Sequence, residues 1–392
     1  MITSFHPPQR TLMGPGPSDV SPRVLSALAR PTIGHLDPLF VQMMDEVKSL
    51  LQYAFQTKNT LTIPVSAPAS AGMETCFVNL IEAGDTVIVC QNGVFGLRMQ
   101  ENVERCGAKA VLVQDDWGRA CDPQKLEDAL KANPDARFVA FVHAETSTGA
   151  ITDAKTMCDI AHRYDCLTIV DAVTSLAGNP LYVDDWGMDA VYSGTQKCLS
   201  CIPGLSPVSF NNAAVEHIKQ RKTNVQSWFL DLNLVMGYWG KGAKRAYHHT
   251  APVNALYALH ESLLMLKEEG LNQAWDRHQI HHQALKAGLD ALGLDLVVPE
   301  SERLPQLNAV RIPDGVNDAQ VRAILLQDYQ LEIGAGLGVM AGKVWRIGLM
   351  GYACRKDNVL KCVSALAEVL NRVQAPVAHK QTMAATLAAY GE

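Results

Sequence analysis

Short runs of apolar residues alternate along this chain with stretches in which apolar positions recur every three or four residues. The runs are Thr86–Cys90, Lys109–Val113, Arg137–His143, Leu167–Val170, Ala190–Ser193 and Ser206–Phe210, and each reads as a short buried strand. Between them, helices are predicted over Met73–Ile81, Pro123–Ala132 and Ala154–Tyr164. The first follows a loop of small residues. The second has Asp122 as N-cap and a proline in its first turn, and the third carries Met157, Ile160 and Ala161 on one face. Strand and helix in alternation imply an α/β fold, a mostly parallel sheet covered on both faces. Ligands of such sheets bind beyond the carboxyl ends of the strands, so the loops that follow strands hold the candidate chemistry.

The rhythm changes near residue 270. Pro252–Glu269 is predicted as one long amphipathic helix with Leu256, Leu259, Leu263, Leu264 and Leu266 inward. After it come predicted strands at Leu294–Val298, Leu307–Ile312 and Val344–Ile347 and predicted helices at Asp318–Asp328 and Asp357–Val373. The expected division is an arm over 1–16, a large domain over 17–269, a smaller α+β C-terminal domain over 270–376 and a tail over 377–392. The alanine-rich tail is expected to fray.

Composition narrows the function. The chain has 392 residues, 48% hydrophobic and 19% charged, which is ordinary for a globular protein. Its 34 basic and 40 acidic residues leave a net charge of −6, which disfavours nucleic acid or an anionic membrane as partner. Most of the ten cysteines lie in apolar runs, the pattern of reduced, core-filling thiols. Cys198 and Cys201 form a C-x-x-C, but the second pair a zinc ribbon needs is absent, so they are expected to be structural. The first ten residues do not have the layout of a signal peptide, and no apolar segment approaches the ~20 residues of a membrane span. The expected location is cytoplasmic.

Several motifs fail on inspection. Gly334-Ala-Gly336-Leu-Gly338 has Val339 where a dinucleotide fingerprint needs its third glycine, and Gly342-Lys343 lacks the Ser or Thr of a P-loop. His278, His281 and His282 share one helical face, but further ligands of the right type are missing, so a solvated face is expected and no metal site. Two residues on strand ends carry more weight. Asp171 closes the run Leu167–Val170, and Lys197 follows the next predicted strand, 26 residues on. Alone, each could be a capping acid or a surface lysine. That separation is long enough for one strand–helix–strand unit, which would let both reach one pocket. An acid and a lysine meeting there satisfy pyridoxal phosphate: the amine condenses with the aldehyde, and the carboxylate keeps the ring nitrogen protonated.

The segments around this pair carry a resemblance. Gly14-Pro-Gly-Pro17, Ile33-Gly-His35, His143-Ala-Glu-Thr-Ser-Thr-Gly149, Val170-Asp-Ala-Val173, Tyr192-Ser-Gly-Thr-Gln-Lys197, Tyr247-His-His-Thr250 and Trp345-Arg-Ile-Gly348 occur in that order. Together they resemble the class V aminotransferases, most closely the alanine–glyoxylate and serine–glyoxylate (serine–pyruvate) group, over nearly the whole chain. The resemblance implies a fold-type I pyridoxal-phosphate transferase working as a homodimer on a small amino acid and a 2-oxo acid. It implies that Lys197 holds the cofactor and moves the proton at the substrate Cα. Asp171 would pair with the ring nitrogen, Val173 would pack on one ring face and Phe95 would stack on the other. Thr146 would lie near the phenolic oxygen. The phosphate would fall to Ser70 and the backbone of Ala69 and Ala71, with Gln196 as a further candidate. Tyr247 and Thr250 would come from the neighbouring subunit. Arg346 would bind the substrate carboxylate as a planar fork, with Gly34 beside it. Pro68 and Ala69 depart from the glycine-richer loop of relatives.

Two other readings stay open. A cysteine desulfurase needs a nucleophilic cysteine before the arginine and a histidine before the lysine. Here no cysteine lies between Cys201 and Cys354, and Gln196 precedes Lys197. A non-catalytic protein on this fold would not need Lys197, Asp171 and Arg346 together. Pyridoxamine–pyruvate and aminoethylphosphonate transaminases share the frame, and the motifs do not choose the amino donor.

Overall fold

The computed structural model describes residues 2–240, 245–378 and 381–392. Seven strands form the main sheet: β1 (Leu61–Val65), β2 (Thr86–Gln91), β3 (Lys109–Gln114), β4 (Ala136–Val142), β5 (Leu167–Asp171), β6 (Ala190–Tyr192) and β7 (Ser206–Phe210). Their spatial order is β1-β7-β6-β5-β4-β2-β3. Only β7 runs against its neighbours β1 and β6, and the remaining pairs are parallel. Most of these strands are buried on both faces, as continuous apolar runs require, whereas the edge strand β3 is half exposed.

The helices preceding residue 220 are α1 (Pro22–Leu28), α2 (Pro38–Phe55), α3 (Ala69–Leu80), α4 (Val94–Arg105), α5 (Pro123–Ala132), α6 (Ala154–Arg163) and α7 (Asn212–Lys219). Those after it are α8 (Leu232–Trp239), α9 (Val253–Glu269), α10 (Leu271–Leu292), α11 (Asp318–Asp328), α12 (Lys356–Arg372) and α13 (Thr382–Ala388). A second sheet joins β8 (Leu307–Arg311), β9 (Gly334–Ala335) and β10 (Val344–Gly348) in the order β8-β10-β9, all antiparallel. The N-terminal segment is tied to this region, because Thr11–Leu12 pairs in parallel with Leu331–Glu332. Buried apolar side chains form two main clusters. Helix α10 feeds both, with Leu271, Ala274 and Trp275 in one and Ala284, Leu285, Leu289 and Leu292 in the other.

Three expectations need correction. Leu294–Val298 is not a strand: between the left-handed Gly293 and Pro299 it makes a single bridge, Leu296 to Val310. The tail folds back as α13, whose Thr386 is fully buried against Gly288 of α10; a Cβ on that glycine would lie 2.4 Å from Thr386 Oγ1. In the tail, His379 and Lys380 lie outside the described residues.

The third correction concerns the histidines of α10. They are not a solvated face. His278 is completely buried: Nδ1 pairs with the Ala274 carbonyl at 2.6 Å, and Nε2 accepts from the Gly351 N–H at 3.0 Å. His282 pairs with Asn308 Oδ1 at 2.7 Å and His281 with the Tyr390 hydroxyl at 2.6 Å. Alternation marked the face, but apolar character did not, since these rings pack as neutral polar core. Burial pushes His278 down to about 3 and His281 to about 4. The unfolded rings still protonate near the ordinary ~6.5, so stability is full above that pH and falls as pH drops towards these values. Each such ring contributes a slope of up to about 1.4 kcal/mol per pH unit. Denaturant midpoints measured from pH 7.5 to 5 will therefore fall, and His278→Gln will make the decline shallower; an unchanged slope would contradict the buried neutral ring.

Candidate active site

Asp171 is the last residue of β5 and is 2% exposed. Its register neighbour on β6 is Tyr192, whose hydroxyl donates to Oδ2 at 2.8 Å, while the Val173 N–H donates to Oδ1 at 2.8 Å. Burial raises this carboxyl to about 7, and the two donors pull it the other way. A carboxylate so held has acceptor capacity left and favours a cationic neighbour.

Lys197 lies on the loop after β6, 8% exposed. The loop is pinned locally: Thr195 Oγ1 donates to the Ile202 carbonyl at 2.6 Å and Ser200 N–H to the Lys197 carbonyl at 3.0 Å. From the N-terminal segment, the Ser18 hydroxyl donates to the Lys197 carbonyl at 2.8 Å. The amine donates to the carbonyl of Pro15. Burial first, and the nearby charge of Arg346 second, bring it down to about 8. Gly16 makes this approach possible. Its φ is +100°, and a Cβ there would sit 2.6 Å from Lys197 Nζ.

Arg346 is in the middle of β10, 6% exposed. Its Nε donates to the Ala335 carbonyl at 2.7 Å and Nη1 to the Thr146 carbonyl at 3.2 Å. Burial lowers the guanidinium to about 10, while the charge of Glu145 acts in the opposite sense. Thr146 therefore joins both halves: its carbonyl holds Arg346, and its Oγ1 lies 2.5 Å from Thr174 Oγ1, three residues past Asp171. Val173, between them, is buried.

The start of α3 supplies anion-binding chemistry. Pro68 at its N-cap makes no side-chain cap bond, so among the described residues the first N–H groups of the helix, those of Ala69 and Ser70, point out of it without a side-chain cap. The Ala71 N–H bonds the Pro68 carbonyl at 2.8 Å. Ser70 is exposed and Ala69 buried. Gly194 brings the lysine loop against this helix start; a Cβ on it would lie 2.8 Å from Ala69 Cβ and 2.5 Å from Gln196 Oε1. That Gln196 oxygen is buried with no hydrogen-bond partner among the described residues.

Phe95 stands in the first turn of α4, its N–H bonded to Glu145 Oε2 at 3.2 Å, with Arg98 4.9 Å from the ring centre. Tyr247 and Thr250 are not drawn into this constellation. Tyr247 is 64% exposed, and among the described residues its hydroxyl bonds only Thr250 Oγ1, at 3.5 Å. Gly34 is exposed beside His35, whose ring lies 5.2 Å from that of Tyr247. Sequence reasoning passed over Tyr192, Gly16, Thr174 and Glu145. Tyr192, Gly16 and Glu145 lie inside quoted motifs, and a phenol one strand from a buried acid was the signal for Tyr192. Among the described residues, no group of three or more His, Cys, Asp or Glu is placed to hold a metal ion.

A buried acid and a buried lysine at adjacent strand ends, with an arginine brought in on a second sheet, define a fold-type I transferase. The chain belongs to the aminotransferases: the profile of the family Aminotransferase class-V matches residues 23–359. It is 37% identical over 402 residues to the (S)-ureidoglycine–glyoxylate transaminase of Bacillus subtilis, covering 98% of this chain and 96% of that one. It is 40% identical over 365 residues to the alanine–glyoxylate aminotransferase of Rattus norvegicus, covering 93% and 88%. In three dimensions it resembles the crystal structure of ureidoglycine–glyoxylate aminotransferase from Bacillus subtilis with a TM-score of 0.97, at 38% identity and 100% coverage of both chains.

The crowding at Gly16 generates a test. Gly16→Ala will cost about 1–3 kcal/mol of stability and most of the transaminase rate, read from a thermal melt and an initial-rate assay. A variant with the parent's midpoint and rate would show that Lys197 does not lie under this segment.

Proposed function

We propose that this chain is a pyridoxal-phosphate-dependent aminotransferase that moves an amino group from a small amino acid, alanine or serine, to glyoxylate or pyruvate. The observation that carries this reading is the convergence of Lys197, Asp171 and Arg346, all buried, from two sheets. The residues fit the cofactor: a lowered amine, an acid with spare acceptor capacity and an uncapped helix start. Pyridoxal phosphate, when bound, supplies an aldehyde that takes up the amino group and a ring that accepts the electron pair from Cα.

The chain's own residues do the rest. Asp171 would pair with the ring nitrogen and hold a proton there, and Tyr192 and the Val173 N–H favour its ionised form. Val173 and Phe95 would flank the cofactor ring, and Thr146 would lie near its phenolic oxygen. Ser70, the backbone of Ala69 and Ala71, and Gln196 receive the phosphate, aided by the α3 dipole. Arg346 grips the substrate carboxylate, which fixes the torsion about Cα. Its guanidinium is already oriented by two carbonyls, so little freedom is lost on binding. Lys197 then moves the proton at Cα; an amine lowered to about 8 is partly free base near neutral pH. The N-terminal segment packs close over this site, where a Cβ on Gly334 would lie 2.4 Å from Pro15 Cδ, which supports a small substrate.

The acceptor reading is supported by the relatives, both named for glyoxylate. A second donor, ureidoglycine, is favoured by the likeness to the Bacillus subtilis enzyme across the whole chain. The desulfurase alternative is disfavoured because all ten cysteines are buried. We further infer a homodimer with shared sites, in which exposed Tyr247 and Thr250, with Gly34, face the partner's pocket. The division into a cofactor lobe over 17–269 and a lobe over 270–376 that brings Arg346 belongs to this proposal, as does a cytoplasmic location, which ten free thiols support. No helix of the described residues is long and apolar enough to cross a membrane.

Two measurements test this reading. A panel of alanine, serine and ureidoglycine against glyoxylate and pyruvate will give its highest kcat/KM with glyoxylate; turnover of none of these pairs would overturn the reading. Tyr192→Phe removes a donor that favours ionised Asp171, so the acid limb of kcat/KM will move to higher pH by about one unit. A limb at the parent's pH would separate Asp171 from the proton that controls the reaction.

A further inference from the structure

Glu145 is fully buried, and the reading above gives it no part. Its Oε1 accepts from the Ser147 N–H at 2.9 Å and the Ser147 hydroxyl at 2.6 Å, and its Oε2 accepts from the Phe95 N–H at 3.2 Å. The Val94 N–H donates to Ser147 Oγ at 3.0 Å. The first two N–H groups of α4 are thus taken by Ser147 and Glu145. Remote partners also take single first-turn N–H groups in α8, where Leu232 donates to Asn79 Oδ1 at 2.9 Å, and in α10, where Leu271 donates to the Tyr53 hydroxyl at 3.1 Å, whereas two are so held at α4. Helices α2, α5, α6, α7, α8 and α11 are capped by their own N-cap side chains, Asp37, Asp122, Asp153, Asn211, Asp231 and Asn317. Helix α4 has Gly93 at that place, and its cap comes from 50 residues away. Gly93 must stay bare, because a Cβ on it would lie 2.4 Å from Glu145 Cδ.

A local cap would stabilise α4 equally well. A remote one also ties the start of α4 to the 145–147 turn. That turn holds the guanidinium of Arg346 through the Thr146 carbonyl and meets Thr174 through the Thr146 hydroxyl. A buried carboxylate is costly, and hydrogen bonds with a helix dipole offset part of that cost here, burial still holding Glu145 above its ordinary range. The start of α3, by contrast, has no side-chain cap.

We propose that Glu145 is a positioning residue of the cofactor pocket: it plugs the N-terminus of α4, fixing the Phe95 ring against the cofactor and the turn that anchors Arg346, while α3 keeps its N-terminus for the phosphate. This rests on the reading that pyridoxal phosphate binds here. The role is a coupling between Glu145 and Phe95, so a double-mutant cycle reads it directly. Apo forms of the parent, Glu145→Gln, Phe95→Ala and the double variant are titrated with pyridoxal phosphate and followed by absorbance. Glu145→Gln will weaken binding by about tenfold or more, and in the Phe95→Ala background the same change will add little. The donor KM will also rise in Glu145→Gln. Parent-like affinity in Glu145→Gln, or its full loss repeated in the Phe95→Ala background, overturns the proposal. Should Glu145→Gln fail to fold by circular dichroism, Ser147→Ala takes its place. It will weaken binding about threefold alone and not with Phe95→Ala, and parent-like affinity overturns the proposal there too. A parent protein that takes up no pyridoxal phosphate would instead remove the function reading, an outcome the titration shows separately.

Discussion

Burial of charge at the ends of neighbouring strands is the constraint on which the rest of the structure depends. Asp171, Lys197, Arg346 and Glu145 are each 8% exposed or less. An ion taken out of water costs several kcal/mol unless its bonds are replaced. Each of these four has its replacements assigned. Asp171 has Tyr192 and the Val173 N–H, and Glu145 has Ser147 and the start of α4. Arg346 has the carbonyls of Ala335 and Thr146, and Lys197 that of Pro15. The replacement is incomplete, and the remainder shows as pKa values drawn towards neutrality: Asp171 about 7, Lys197 about 8. Groups poised there titrate near neutral pH.

The fold meets this constraint with parts far apart in sequence. Parallel pairing of β5 and β6 sets Tyr192 beside Asp171. The second sheet sets Arg346 between Ala309 and Gly334 in register. The N-terminal segment crosses from its pairing with Leu331–Glu332 to cover the lysine, and Gly16 and Gly348 keep its path clear. The 145–147 turn lies between these parts. Because the partners of each buried ion come from separate segments, the site is complete only when the whole chain is folded.

Much of this was readable beforehand, and the limits have physical causes. Continuous apolar runs announced the parallel strands, since strands buried on both faces cannot alternate. Asp171 and Lys197 were legible because a charge closing an apolar run has few reasons to be there. The α10 histidines misled because a neutral, hydrogen-bonded imidazole packs as core while reading as polar. Leu294–Val298 has strand composition, yet its neighbours allow one bridge. Met73 marked helix α3 too late, since Ala69, Ser70 and Ala71 form helix as readily as loop. Glu145 was invisible for a different reason: its meaning is a contact across 50 residues with a helix whose own N-cap is glycine.

The central claim is that Lys197 is the residue that holds pyridoxal phosphate, and covalent trapping tests it most directly. Protein loaded with the cofactor, reduced with borohydride and digested is read by mass spectrometry for a lysine bearing the reduced cofactor. The account predicts one modified peptide, containing Lys197. A label on another lysine, or none at all, would contradict it.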